Sequence, residues 1–179
     1  MSRYLFGLAT AITALLLAAG SQLVFAESAE RPLILTEAQT QAIGDSCTIS
    51  KIALGQVHSN DAVMRINLGQ EYVNISSRLM APLNSRISLA GRDGVELTKL
   101  TAEYNQVLQQ FRSAYSVYDD SVQAALNIDC RSRQAEYYAA VIKSREERLK
   151  VRAAVEKLND IARRYRTEVD AFQARLEQE

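Results

Sequence analysis

Residues 155–176 read VEKLNDIARRYRTEVDAFQARL. Apolar and aromatic side chains recur at Val155, Leu158, Ala162, Tyr165, Val169, Phe172 and Leu176, in alternating steps of three and four. That alternation is the seam of a coiled-coil-like helix. Upstream the same stripe continues through Tyr137, Val141, Ser144, Arg148 and Val151. A second stripe of this kind runs through Leu97, Leu100, Tyr104, Val107, Leu108, Phe111, Tyr115, Tyr118, Val122 and Leu126. A third is carried by Cys47, Leu54, Val57, Met64, Leu68, Tyr72, Ile75, Leu79, Leu83, Ile87 and Ala90. No segment sustains the period-2 alternation of a half-buried strand.

The breaks between the stripes are short. Residues 91–94, GRDG, form a turn, with Asp93 and Glu96 as a capping pair for the helix that follows. Residues 127–133 form the second break, and Ser132 is the expected N-cap of the last helix. Thr36-Glu37-Ala38-Gln39 has the form of a capping box and opens the first helix. Gly44, Asp45 and Ser46 can interrupt and restart that helix, and Pro82 should kink it. Short connections make consecutive helices antiparallel neighbours. The expected fold is therefore all-α, an elongated up-down-up three-helix bundle over residues 36–179, preceded by a short extended segment at 27–35.

Residues 1–26 read as a secretory signal peptide, with Arg3, an apolar run densest over 5–19, and Val24-Phe25-Ala26 ahead of the cleavage point. Retention is the alternative. The uncharged stretch from Tyr4 to Ala26 can span a bilayer and would then anchor the protein in a membrane. Export places Cys47 and Cys130, the two cysteines of the chain, where a disulfide persists. Counted from Arg92, Cys47 lies 45 residues back and Cys130 lies 38 forward. At about 1.5 Å per residue both come to one end of the bundle, with a mismatch of about 10 Å. The Pro82 kink and an extended stretch at 127–129 can absorb it, so a Cys47–Cys130 staple is expected.

The 21 basic and 21 acidic residues argue against a nucleic-acid partner. The lone His58 cannot build a metal site. No E-x-x-H, C-x-x-C-H, G-x-S-x-G or phosphate-loop pattern occurs. We expect no cofactor, no metal and no catalytic residues. Charge is nonetheless uneven. Residues 91–130 carry 3 basic and 6 acidic side chains and residues 131–179 carry 12 and 9, which favours pairing of the second and third helices.

Asp61 falls on the inner stripe of the first helix. Counting from the cysteines brings it level with about Ser144, beside Arg145 and Arg148. A partly buried ion pair with one of these arginines would fix helix register. The sharper alternative is a polar ligand pocket at this level, with Tyr115 and Tyr118 nearby. Gly55, Ala62, Gly69 and Ser76 recur every seven residues. They allow close packing inside the bundle, or a groove for a partner helix. Ile49, Ile52, Val63 and Ile66 are apolar positions that the inner stripe leaves over, and they make a homodimer a candidate assembly.

Leu35-Thr36-Glu37-Ala38-Gln39 resembles the L-T-x-x-Q motif of the Spy and CpxP family of periplasmic helical chaperones. That resemblance implies an exported all-helical protein that binds unfolded chains without ATP. The nearest second copy, Leu100-Thr101-Ala102-Glu103-Tyr104, departs from the motif by ending in Tyr. The expectation drawn from the residues themselves is an exported structural or protein-interaction module, secreted, periplasmic or at the cell surface, with its protein partner unidentified. The chaperone is the alternative.

Overall fold

The computed structural model describes residues 34–178, and the leader reading at 1–26 lies outside them. Five α-helices follow one another: α1 (Glu37–Asp45), α2 (Cys47–Asn74), α3 (Ala81–Leu89), α4 (Val95–Asn127) and α5 (Gln134–Leu176). A π-helical segment, Ile75–Met80, joins α2 to α3 without a break. Among the described residues there is no strand.

The pairing of side chains along the arms sets their direction. From α2, Ser50 meets Tyr137, Asp61 meets Arg148, and near the start of α3 Asn84 meets Tyr165, so this first arm and α5 run in the same direction. Against α4 the order reverses: His58 with Asp119, Ser76 with Asn105, Asn84 with Thr101. Glu103 with Arg164 and Tyr118 level with Arg148 make α4 and α5 antiparallel. The three long arms thus alternate in direction as expected. The first is not one helix but α1 followed by the α2–π–α3 rod.

Thr36 and Gln39 form the reciprocal capping box: the Thr36 hydroxyl accepts from the Gln39 N–H, and the Gln39 side chain accepts from the Thr36 N–H. At Ser46 the helix restarts, the hydroxyl donating back to the Ala42 carbonyl. Pro82 acts one turn ahead of itself. It has no N–H to give to residue 78, and its ring crowds that carbonyl. The backbone takes a wider turn, in which the Ala81 N–H reaches the Ser76 carbonyl five residues back. One extra residue per turn shifts the inward face. Ser76 and Met80 are buried, while Leu79, assigned inward by a 3.6-residue count, is 63% exposed.

Gly91 turns the chain at φ +65°, in the left-handed region open to glycine. Gly94 admits Ile87, whose Cγ2 would lie 2.7 Å from an added Cβ. Gly94 is also the N-cap of α4, while Asp93 accepts from the Val95 N–H. At the other connection the expected N-cap Ser132 instead donates to Asp129. Arg133 occupies the cap position without a side-chain cap bond. Ile128 is extended, in the direction the length mismatch requires, and Cys47 and Cys130 form a disulfide with Cα atoms 5.5 Å apart.

Packing follows the stripes unevenly. Nearly the whole α4 stripe is buried, and Leu158, Ile161 and Tyr165 of α5 close onto it. The main core ends near Phe111. A small cluster of Tyr115, Tyr118 and Val122 and another around the disulfide and Tyr137 continue it toward the stapled end. Val57 and Met64 of α2, expected inside, are exposed.

Candidate functional site

Beside the middle cluster, α2, α4 and α5 line a cleft. Asp61 sits there on α2, its side chain only 13% exposed. The Arg148 fork holds it: Nε donates to Oδ2 and Nη2 to Oδ1, both at 2.7 Å. Tyr118 Oη donates to the same Oδ2 at 2.6 Å. Three arms are thus joined through one carboxylate, in a bidentate geometry that favours Arg over Lys. Burial pushes the Asp61 carboxyl up. The hydrogen bonds from Arg148 and Tyr118, with the charges of Arg148 and His58, outweigh that and leave it below the ordinary aspartate range. The Tyr118 phenol moves up, through burial and then through Asp61 as its acceptor. Of the two arginines expected here, Arg148 makes the pair. Arg145 does not: it stands exposed beside the same cleft, and among the described residues no ion pair holds it.

The cleft next to Asp61 has a volume of about 640 Å³. Leu68 of α2, Phe111 of α4, and Val151 and Val155 of α5 line its apolar wall. Met64 and Leu149, 57% and 63% exposed, stand at its mouth. Arg65, Arg145, Arg148 and Arg152 line it against the single carboxylate of Asp61. Arg152 is engaged by Glu156, and the Arg65 guanidinium lies 4.8 Å from the Tyr115 ring centroid. Tyr115 packs edge-on against Tyr118, its hydroxyl buried and without a hydrogen-bond partner. Burial, and then the nearby Asp119, push its phenol up, with Arg65 opposing.

Counting along the helices places Tyr115 beside this level, as the pocket alternative has it, but not its orphaned hydroxyl, which is a property of its surroundings. His58 to Asp119, at 2.7 Å, was also missed; the acidic bias of the second helix was its available signal. Among the described residues no group of three His, Cys, Asp or Glu side chains could hold a metal ion.

The small-residue stripe does not act as a unit. Gly69 lies against Phe111 and Ser76 donates to Asn105, so these two pack within the chain. An added Cβ at Gly55 would meet nothing within 4 Å, and Ala62 is half-buried beside Asp61. A continuous partner groove along Gly55, Ala62, Gly69 and Ser76 is therefore not what the structure presents.

What α2 does present is a second apolar face. Ile49, Ile52, Val63 and Ile66 are 58–74% exposed. With Gln56, Ser59 and Gln70 they follow steps of three and four along the side roughly opposite the buried one, at about 100° per residue. Among the described residues no helix is long and apolar enough to cross a membrane. No family model matches the chain, and neither a curated protein nor a solved structure matches it.

Proposed function

We propose that the chain is an exported, non-catalytic protein-interaction module of the cell envelope or extracellular space, which docks a protein partner on the outer face of α2. The observation that carries this reading is that face: four exposed β-branched side chains on the side of α2 turned away from its attachments to α4 and α5. Apolar surface arranged at helical spacing suits a partner helix laid alongside it, and a second copy of the chain offers such a helix. The leader-like segment at 1–26 and the Cys47–Cys130 disulfide support an oxidising, extracytoplasmic setting. A retained leader would make the module membrane-anchored.

A photo-crosslinking residue at position 66 of the full chain, expressed in its native compartment, tests the reading. The expected result is one discrete adduct that Ile52→Glu abolishes, while a crosslinker at position 157 on α5 gives none. The chaperone reading is favoured by the same exposed apolar residues, and it predicts a smear of many polypeptides and suppression of aggregation of unfolded substrates. The motif at 35–39 adds little to it, because Thr36 and Gln39 are occupied with each other. Absence of any adduct at position 66 removes both.

A further inference from the structure

We propose that the cleft between α2, α4 and α5 is a binding site for an anionic amphiphile, a single hydrocarbon chain ending in a carboxylate or phosphate head. Three independent features of the cleft point to one ligand chemistry. Its wall is apolar across three helices, lined by Leu68, Val155 and the edge of the buried Phe111. Its volume of about 640 Å³ falls in the range of cavities that enclose small ligands between helices. A chain lying there would also cover Met64 and Leu149, which stand open at the mouth.

The second feature is charge. Four guanidinium groups and one carboxylate line the cleft, and that carboxylate is already saturated by Arg148 and Tyr118. Glu156 engages Arg152 outside the cleft. Arg145 remains beside the opening without an ion pair among the described residues. A cationic head would be repelled, and an anionic one would complete the arrangement.

The third is an orphaned phenol: among the described residues two buried tyrosine hydroxyls lack a partner, Tyr104 in the main core and Tyr115, and of these Tyr115 borders the cleft. Tyr115 is 4% exposed, its hydroxyl has no partner, and its ring lines the cleft. A buried donor without an acceptor carries a desolvation cost, and the large majority of such groups in folded proteins find a partner. Tyr118, its edge-on neighbour, has Asp61 as acceptor. The Tyr115 hydroxyl has no accessible surface in the cleft as it stands, so a head-group oxygen would become its acceptor only once the ring turns toward the cleft.

Calorimetric titration of the purified, delipidated full chain below the micelle concentration tests this with four dodecyl probes: dodecanoate, dodecyl phosphate, dodecyltrimethylammonium and dodecanol. We expect dodecanoate or dodecyl phosphate to bind one per chain, at least about tenfold tighter than the cationic and neutral probes, since a hydrogen bond to a charged head contributes about 1.5–3 kcal/mol. The tighter of the two anions identifies the natural source as a free fatty acid or a phosphate-headed lipid. Tyr115→Phe is the diagnostic variant. It removes the orphaned donor, so the free protein should melt no lower than wild type, yet anion binding should weaken at least about fivefold. Arg145→Gln should weaken it similarly. Ile52→Glu, on the outer face of α2, should leave it unchanged, which separates this site from the docking face. Equal binding of anionic and cationic probes, no saturable binding, or undiminished affinity in both cleft variants would overturn the proposal.

Discussion

α2 and α4 are helices of similar length, 28 and 33 residues, and they are held in place by different physics. α4 buries twelve residues along its seam, α2 only Cys47 and Tyr72. α4 and α5 zip together over most of their length. α2 is attached at points: the disulfide, Ser50 to Tyr137, His58 to Asp119, and Asp61 to Arg148 and Tyr118. Packing distributes stability over many small contacts. Point attachments concentrate it, and they leave apolar surface on the attached helix free. A helix held this way can offer one face to the bundle and the other to a partner, and it can stand off far enough to leave a cleft.

The sharpest way to break that contrast is to cut the staple. The Cys47–Cys130 bridge closes 83 residues of chain, and the chain-entropy model assigns such a loop about 4–5 kcal/mol. The paired Cys47→Ser, Cys130→Ser variant should lose most of that in denaturant unfolding. The loss should also be local: amide exchange should accelerate along α1 and α2 while α4 and α5 stay protected. Uniform acceleration over all helices would mean that the arms form a single cooperative unit and that the contrast is wrong.

Truncation inside the zipped pair comes next. Leu158 is fully buried against α4, and Leu158→Ala should cost about 3 kcal/mol through lost contacts and the cavity left behind. Ile66→Ala, on the outer face of α2 where the side chain is 67% exposed, should change the stability of the monomer by less than about 0.5 kcal/mol. Equal effects at the two sites would show that α2's outer face is covered in the folded monomer.

The two regions were also unequally legible in the sequence. α4 has one apolar stripe and one polar side, so its 3–4 spacing names the buried residues almost one for one, from Leu97 to Val122. On α5 the same alternation selected Ala162 and passed over Ile161, which is fully buried; spacing alone does not weigh a larger side chain one position away. α2 carries apolar residues on two sides, and periodicity cannot say which side meets the core. Hence Val57 and Met64 were placed inside and lie outside. The slip at Leu79 has another cause, a π turn imposed by Pro82. Asp61 and Arg148 were found because level-counting from a covalent anchor survives such slips to within a turn. A polar pocket at this level, beside Tyr115 and Tyr118, was the alternative that the same counting raised; its apolar wall was not derivable, because it depends on how far α2 stands from α5.

The Asp61 junction sharpens the comparison with a smaller effect. Arg148 is 55% exposed, so losing its partner leaves it free to hydrate, and the penalty falls mainly on the buried Tyr118 hydroxyl. Asp61→Ala should therefore cost about 1–2 kcal/mol. A double-mutant cycle should show stronger coupling of Asp61 to Tyr118 than to Arg148. The folded-state pKa of Asp61 is depressed, so its contribution is present above the unfolded-state pKa near 4 and is lost as pH falls through the lower folded value. Acid unfolding curves below about pH 4 should be flatter for Asp61→Asn than for wild type. An unchanged acid limb would mean that Asp61 is not held as an anion in the fold.

The smallest effect has the opposite sign. Gly55 lies in the interior of α2, where glycine is about 0.5–1 kcal/mol worse than alanine because of the backbone freedom it loses on folding. A methyl group added there meets nothing within 4 Å, so no contact opposes the gain. Gly55→Ala should raise stability by about 0.5–1 kcal/mol. At Gly94, where the added Cβ would stand 2.7 Å from Ile87 Cγ2, alanine should destabilise instead. The pair separates a glycine that the monomer needs from one that it does not. If thermal melting shows Gly55→Ala to be destabilising as well, another backbone lies against this side of α2 in solution, and the helix is less openly held than its contacts with α4 and α5 indicate.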